Sequence, residues 1–206
     1  MTLLSGDEEP VLKHPHIVPV LKTTQVDGRP ALVMPLYTGG SLEARIRPGK
    51  HGQGSSNGDE SFKGHPLPIR DAIAISLDVL SALNHAHEHQ TIHRDVKPAN
   101  ILLDHEGRAY LSDFGTATEM KRMLVTRFVG GTPLWTSPEQ IRTPRNVGHL
   151  ADVYSFGCCL YDMLSGRPPF DADEEDDTAG AVLAQIHRVA PTSSDRRFPG
   201  STAIRR

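Results

Sequence analysis

The chain has 206 residues, with 22 Lys and Arg against 25 Asp and Glu and an apolar fraction of 37%. That is one domain's length with material for a real core, and the near balance of charge leaves no basic stripe to bind nucleic acid. No basic-then-apolar leader and no bilayer-length apolar run stands in it, so a soluble cytoplasmic protein without a membrane segment is expected.

The first dozen residues are acidic and polar, and Pro10 limits any helix through them. Two apolar segments follow, Ile17–Leu21 and Ala31–Leu36. The Asp27–Gly28 pair between them predicts a hairpin. Residues 43–65 are rich in Gly, Ser, Lys and Asn from Arg47 onward and predict a mobile surface insertion. From Ile69 to His89, Ile73, Leu77, Leu80, Leu83 and Ala86 recur at helical spacing beside Ala72 and Ala82, predicting a long, mostly buried helix.

Ile101–Leu103 and Ala109–Leu111 flank Asp104-His105-Glu106-Gly107, a second hairpin signal. Asp152–Ser165 reads as a strongly apolar helix stopped by Gly166 and Pro168-Pro169. The adjacent Cys158 and Cys159 in it cannot bridge easily and read as reduced core residues. Asp171 to Asp177 reads as a solvated acidic loop, Ala179–Val189 as one more short helix, and residues 191–206 as a disordered tail.

The chemistry concentrates in His93-Arg94-Asp95-Val96-Lys97-Pro98-Ala99-Asn100, followed thirteen residues after Asn100 by Asp113-Phe114-Gly115. Phosphoryl transfer needs positioning and neutralised charge more than covalent help. Asp95 can orient and deprotonate an attacking hydroxyl, and Lys97 can offset charge on the transferred group. Asn100 and Asp113 offer the hard oxygens that Mg²⁺ prefers. Asn100 opens one strand of the second hairpin and Asp113 closes the other, so an antiparallel return sets the two side by side. His85 and His89 share a helix face at i, i+4, a zinc-like spacing, but no carboxylate or cysteine partner stands at a useful distance in the sequence. Phe114 and His93 read as packing residues.

These residues resemble the catalytic loop and metal-binding triplet of protein kinases. Gly131-Thr132-Pro133 with Ser137-Pro138-Glu139 resembles the end of the activation segment, Ser137 replacing the usual Ala. Asp152-Val153-Tyr154-Ser155-Phe156-Gly157 resembles the central helix, whose Asp anchors the catalytic loop. His14-Pro15-His16-Ile17-Val18 is similar to the entry of a small-lobe strand, and Leu32 to Tyr37 with Gly39-Gly40-Ser41-Leu42 to the strand and hinge at adenine. The resemblance covers residues 11 to 189, and Lys97 places it with serine/threonine kinases, bacterial-like in wording. It implies an α+β, protein-kinase-like fold with a mainly helical large lobe (residues 66–190) and a remnant of the β-rich small lobe and hinge (residues 1–42).

It further implies ATP and Mg²⁺ as cofactors and protein Ser/Thr hydroxyls as acceptors. Asp95 and Lys97 take the catalytic roles, Asn100 and Asp113 the metal, and Met34, Pro35, Leu36, Tyr37 and Leu102 the nucleotide. Arg94 becomes the cationic partner of a phosphorylated activation loop, with an activating kinase acting on Thr126, and Thr132 hydrogen-bonds near Asp95. His87 takes the place of a structural His. No G-x-G-x-x-G and no valine-alanine-lysine strand precede His14, and Ser5 stands where the helix glutamate is expected, with Glu8 and Glu9 out of register. The arginine that pairs with the Ser-Pro-Glu glutamate has no match either, which predicts Glu139 as a buried carboxylate without its usual partner. The expectation is a kinase truncated at both ends: a fragment, a natural short form serving as a catalytically inactive interaction module, or a lobe completed by a partner. Retention of Asp95, Lys97, Asn100 and Asp113 together favours the first.

Overall fold

In the computed structural model, which describes residues 12–49, 64–114 and 134–170, Asp27 and Gly28 both take positive φ, 50° and 74°. That torsion pair joins two right-twisted strands through a two-residue loop. β1 (Lys22–Val26) and β2 (Arg29–Val33) pair antiparallel, Lys22 opposite Val33. The first strand thus begins one residue after the apolar run expected to form it. Ile17 and Val18 go to the main core instead, and the Val18 N–H donates to the Leu111 carbonyl. Pro19, which has no N–H, ends that pairing. Leu32, Val33 and Val26 stay exposed on the hairpin, which among the described residues pairs with no further strand.

The second sheet has the order β3 (Gly40–Ser41), β4 (Ile101–Leu103), β5 (Ala109–Leu111), all antiparallel. Its β4–β5 hairpin has the bounds read from sequence. Ser41 ends β3 and caps α1 (Leu42–Ile46), its Oγ accepting from the Ala44 N–H at 3.2 Å. Leu42 and Ile46 are fully buried and Arg47 nearly so. The stretch expected to be a mobile insertion from residue 43 therefore starts inside a packed helix, because Leu42 and Ile46, one turn apart, give it a core face. It also ends packed: the Gly64 N–H donates to the Gly166 carbonyl and the His65 N–H to the Ile46 carbonyl.

α2 (Ile69–Glu88) is the long helix expected, but its buried face is Ala72, Ile75, Val79, Ala82, Leu83 and Ala86. Ile73, Leu77 and Leu80, read as core, are 54%, 65% and 42% exposed. Apolar residues occupy two adjacent stripes of this helix, and spacing alone does not say which one meets the sheet. A short α3 (Pro138–Arg142) precedes α4 (Leu150–Ser165), which closes at Gly166 in the left-handed region. Glu139 sits half-buried in the first turn of α3. It is not the buried carboxylate expected, because a helix N-terminus is a favourable, solvent-reaching place for an acid. Cys158 and Cys159 are free and buried, and burial pushes the Cys158 thiol up to about 12. One core joins α1, α2, β4, β5 and α4 through residues such as Leu42, Ile75, Val96, Leu103 and Met163. No helix among the described residues is long and apolar enough to cross a membrane. Readings on residues 1–11, 50–63, 115–133 and 171–206, among them Gly115, Thr126, Thr132 and the Ala179–Val189 helix, lie outside the described residues.

Candidate functional site

The loop between α2 and β4 is held by its backbone. Asp152, fully buried in the first turn of α4, accepts from the His93 N–H at 2.8 Å and the Arg94 N–H at 2.7 Å. It also accepts from His87 Nε2 at 2.8 Å. Three donors converging on one carboxylate offset its loss of water. Arg94 takes φ +66° under this clamp, a conformation a side-chain-bearing residue holds only when its surroundings fix it. His93 is fixed in one tautomer: Nδ1 accepts from the Asp95 N–H at 3.2 Å, so Nε2–H donates to the Ser112 carbonyl at 2.7 Å. Its ring meets Phe114 edge-on at 4.5 Å, the packing role read from sequence.

Asp95 then stands at the head of a polar cluster. Lys97 Nζ lies 3.1 Å from Asp95 Oδ2, and both side chains are more than a third exposed, so the pair is water-screened and contributes to arrangement more than to stability. Asn100 Nδ2 donates to the Asp95 carbonyl at 2.8 Å and to Asp95 Oδ2 at 3.1 Å, which leaves Asn100 Oδ1 as the atom able to meet a cation. Ile101 pairs with Leu111 in register, and this places Asn100 across from Ser112. The Ser112 N–H and Oγ both donate to the Asn100 carbonyl, at 2.9 and 3.0 Å, and Oγ lies 3.3 Å from Asp113 Oδ2. Asp113 is turned to solvent with φ +65°. The hairpin therefore brings Asn100 and Asp113 to one end, beside Asp95 and Lys97, as its topology requires.

Among the described residues no group of three or more His, Cys, Asp and Glu could hold a metal by itself. An amide oxygen and a carboxylate suit a hard cation that takes its remaining ligands from phosphate and water, which is the way Mg²⁺ usually binds. The His85 and His89 rings meet tilted, centroids 4.3 Å apart, and His85 stacks on His14 at 5.1 Å.

The connector after β2 carries Met34 to Tyr37 toward β4. Gly39 docks it: its N–H donates to the Leu103 carbonyl at 2.9 Å, and a Cβ there would lie 2.7 Å from that oxygen. Leu102, in β4, pairs with Ser41. Tyr37 packs on Tyr110 at 4.5 Å, and Leu36 is 88% exposed. Burial pushes Asp104 up, but the Arg108 N–H, the Tyr110 hydroxyl and the Glu106 N–H outweigh it and hold that carboxyl below its usual range. The Asp104–Tyr110 bond so formed steadies the ring under Tyr37.

The family model for the protein kinase domain matches residues 10–205. The chain belongs to the protein kinase domain family. It is 34% identical over 193 residues to the serine/threonine-protein kinase PrkC of Bacillus subtilis, covering 91% of this chain and 26% of that protein. It is 37% identical over 196 residues to PknB of Mycobacterium leprae, covering 92% of this chain and 28% of that protein. Serine/threonine-protein kinase 36 of Pongo abelii is 36% identical over 162 residues, covering 78% of this chain and 11% of that protein. The kinase domain is thus of the serine/threonine, bacterial-like kind, and it spans about a quarter of the length of the bacterial relatives. Its family takes ATP as phosphoryl donor and typically Mg²⁺ with it.

Two contacts escaped the sequence reading. Ser112, which ties Asn100 to Asp113, carries no signal beyond preceding Asp113. Gln140 was legible in part, since Ser137-Pro138-Glu139-Gln140 has the spacing of a capping box. Both halves of that box form.

Proposed function

We propose that this kinase domain transfers the γ-phosphate of ATP to Ser or Thr hydroxyls of protein substrates in the cytoplasm. The single observation that carries this reading is the clustering of Asp95, Lys97 and Asn100 within 3.1 Å contacts at the end of the hairpin that also delivers Asp113. In it, the Asp95 carboxylate orients the acceptor hydroxyl and takes its proton as the oxygen attacks. Lys97, tethered to the same carboxylate, sets a positive charge beside the group in flight. Asn100 Oδ1 and the Asp113 carboxylate would hold Mg²⁺, which when bound would neutralise phosphate charge. Met34 to Tyr37 and Leu102 form the adenine side. Asp152 does no chemistry; it fixes the peptides leading into Asp95. Thr126 is the proposed site for an activating kinase.

The competing reading is an inactive interaction module, which should not respond to nucleotide. A thermal-shift titration with Mg²⁺-ATP separates the two: a rise in melting temperature that is lost in Asp113→Asn supports the kinase reading. No response in either protein supports the module, and an equal rise in both would overturn the metal role of Asp113.

A further inference from the structure

Asp152 fixes only one side of the strained Arg94 backbone: it takes the Arg94 N–H. The other side is the Arg94 carbonyl, which lies in the same rigid plane as the Asp95 N–H. Gln140, from α3, donates its Nε2–H to that carbonyl at 2.7 Å. The same side chain accepts at Oε1 from the Ser137 N–H at 3.3 Å and from the Ser137 hydroxyl at 3.1 Å. With an N–H and a hydroxyl donating on one side of the amide and a carbonyl accepting on the other, its orientation is fixed by its partners. The Asp95 N–H at the far end of the plane is held by His93 Nδ1. A peptide plane pinned at both its oxygen and its nitrogen cannot rotate, and the direction in which Asp95 leaves it is set.

We propose that Gln140 is a positioning residue for phosphoryl transfer. It aims Asp95 by holding the Arg94 carbonyl, a role separate from its part in capping α3. The proposal rests on the phosphoryl-transfer reading of the site. It also explains how Arg94 keeps φ +66°: Asp152 in α4 and Gln140 in α3 grip its two peptide groups from different elements.

Two variants divide the two roles of the side chain. Gln140→Glu keeps the acceptor for the capping box and loses the donor to Arg94; Gln140→Lys keeps a donor and loses the acceptor. Each is compared with wild type for transfer from Mg²⁺-ATP to a Ser/Thr peptide and for amide hydrogen exchange at Arg94 and Asp95. If Gln140 aims Asp95, kcat follows the donor: Q140E loses about tenfold in kcat with KM for ATP little changed, while Q140K stays well above Q140E. Exchange at Arg94 and Asp95 then quickens in Q140E. If kcat follows the acceptor instead, with Q140E the better enzyme, Gln140 is only a cap and the proposal falls. Should wild type transfer no phosphate, the phosphoryl-transfer reading fails for this chain, and the exchange arm still judges the link. Equal protection of Arg94 and Asp95 in wild type and Q140E overturns it.

Discussion

At the scale of single residues, Asp152 is the side chain on which the most depends. Its carboxylate has no exposure and receives only donors: two backbone N–H groups and His87. Asp152→Asn puts an NH₂ group against one of those donors and removes the charge that made the bonds strong. Urea denaturation should show a loss of about 3 kcal/mol. A loss below about 0.5 kcal/mol, the level of an ordinary surface change, would mean that the loop holds itself without the central helix. The role of Asp152 was legible, because an Asp at the start of an apolar helix resembles a known anchor. The link from Gln140 to Arg94 was not, since no local spacing shows which carbonyl 46 residues away a glutamine will meet.

At the scale of elements, the hairpin joining Asn100 to Asp113 was readable because strand pairing is a matter of counting: Ile101 opposite Leu111 fixes every neighbour. The face of α2 was not, because Ile69, Ile73, Leu77 and Leu80 make as good a helical stripe as the one that is buried. Nor was α1, whose apolar residues stand just before a Gly- and Ser-rich run that looks unable to pack. Docking of the connector onto β4 turns on Gly39, where any Cβ would strike the backbone of Leu103 and Asp104. Gly39→Ala should push Met34 to Tyr37 away from Leu102. It should cost about 1–3 kcal/mol in thermal unfolding and weaken the Mg²⁺-ATP thermal shift. Unchanged unfolding and nucleotide response together would show that the connector is not held there.

At the scale of the whole molecule, α1 is fastened to α4 by a buried ion pair, Arg47 Nη2 to Asp162 Oδ1 at 2.6 Å. Burial pushes Asp162 up to about 6, outweighing the pull of Arg47 in the other direction. With its folded pKa above the unfolded value of about 4, Asp162 binds protons more tightly when folded. Its contribution is therefore fully favourable below about pH 4 and is lost as pH rises through 6. Arg47→Met removes the attraction that keeps this carboxylate charged. Near neutrality the variant should lose about 3–5 kcal/mol, and the deficit against wild type should shrink by about pH 5, where Asp162 protonates. His14 works the other way: burial, then its neighbours His85 and His16, hold its pKa below 6.5. Its contribution to stability is therefore lost as pH falls. Because both proteins carry it, this cancels when they are compared at one pH. A deficit equal at both pH values would show that Asp162 keeps its charge without Arg47.

The division of labour between the parts follows. The loop, the hairpin and α4 gather Asp95, Lys97 and Asn100, with Asp113 tied to Asn100 through Ser112; in the proposed reading these are the base, the cation and the two metal ligands, and the connector after β2 supplies the adenine side. Transfer of labelled γ-phosphate from Mg²⁺-ATP to a Ser/Thr peptide, in wild type and Asp95→Asn at high protein concentration, tests this most directly. Mg²⁺-dependent labelling of the peptide by wild type, reduced at least about a hundredfold in Asp95→Asn, is the predicted result. Labelling that proceeds equally in the two proteins would contradict it.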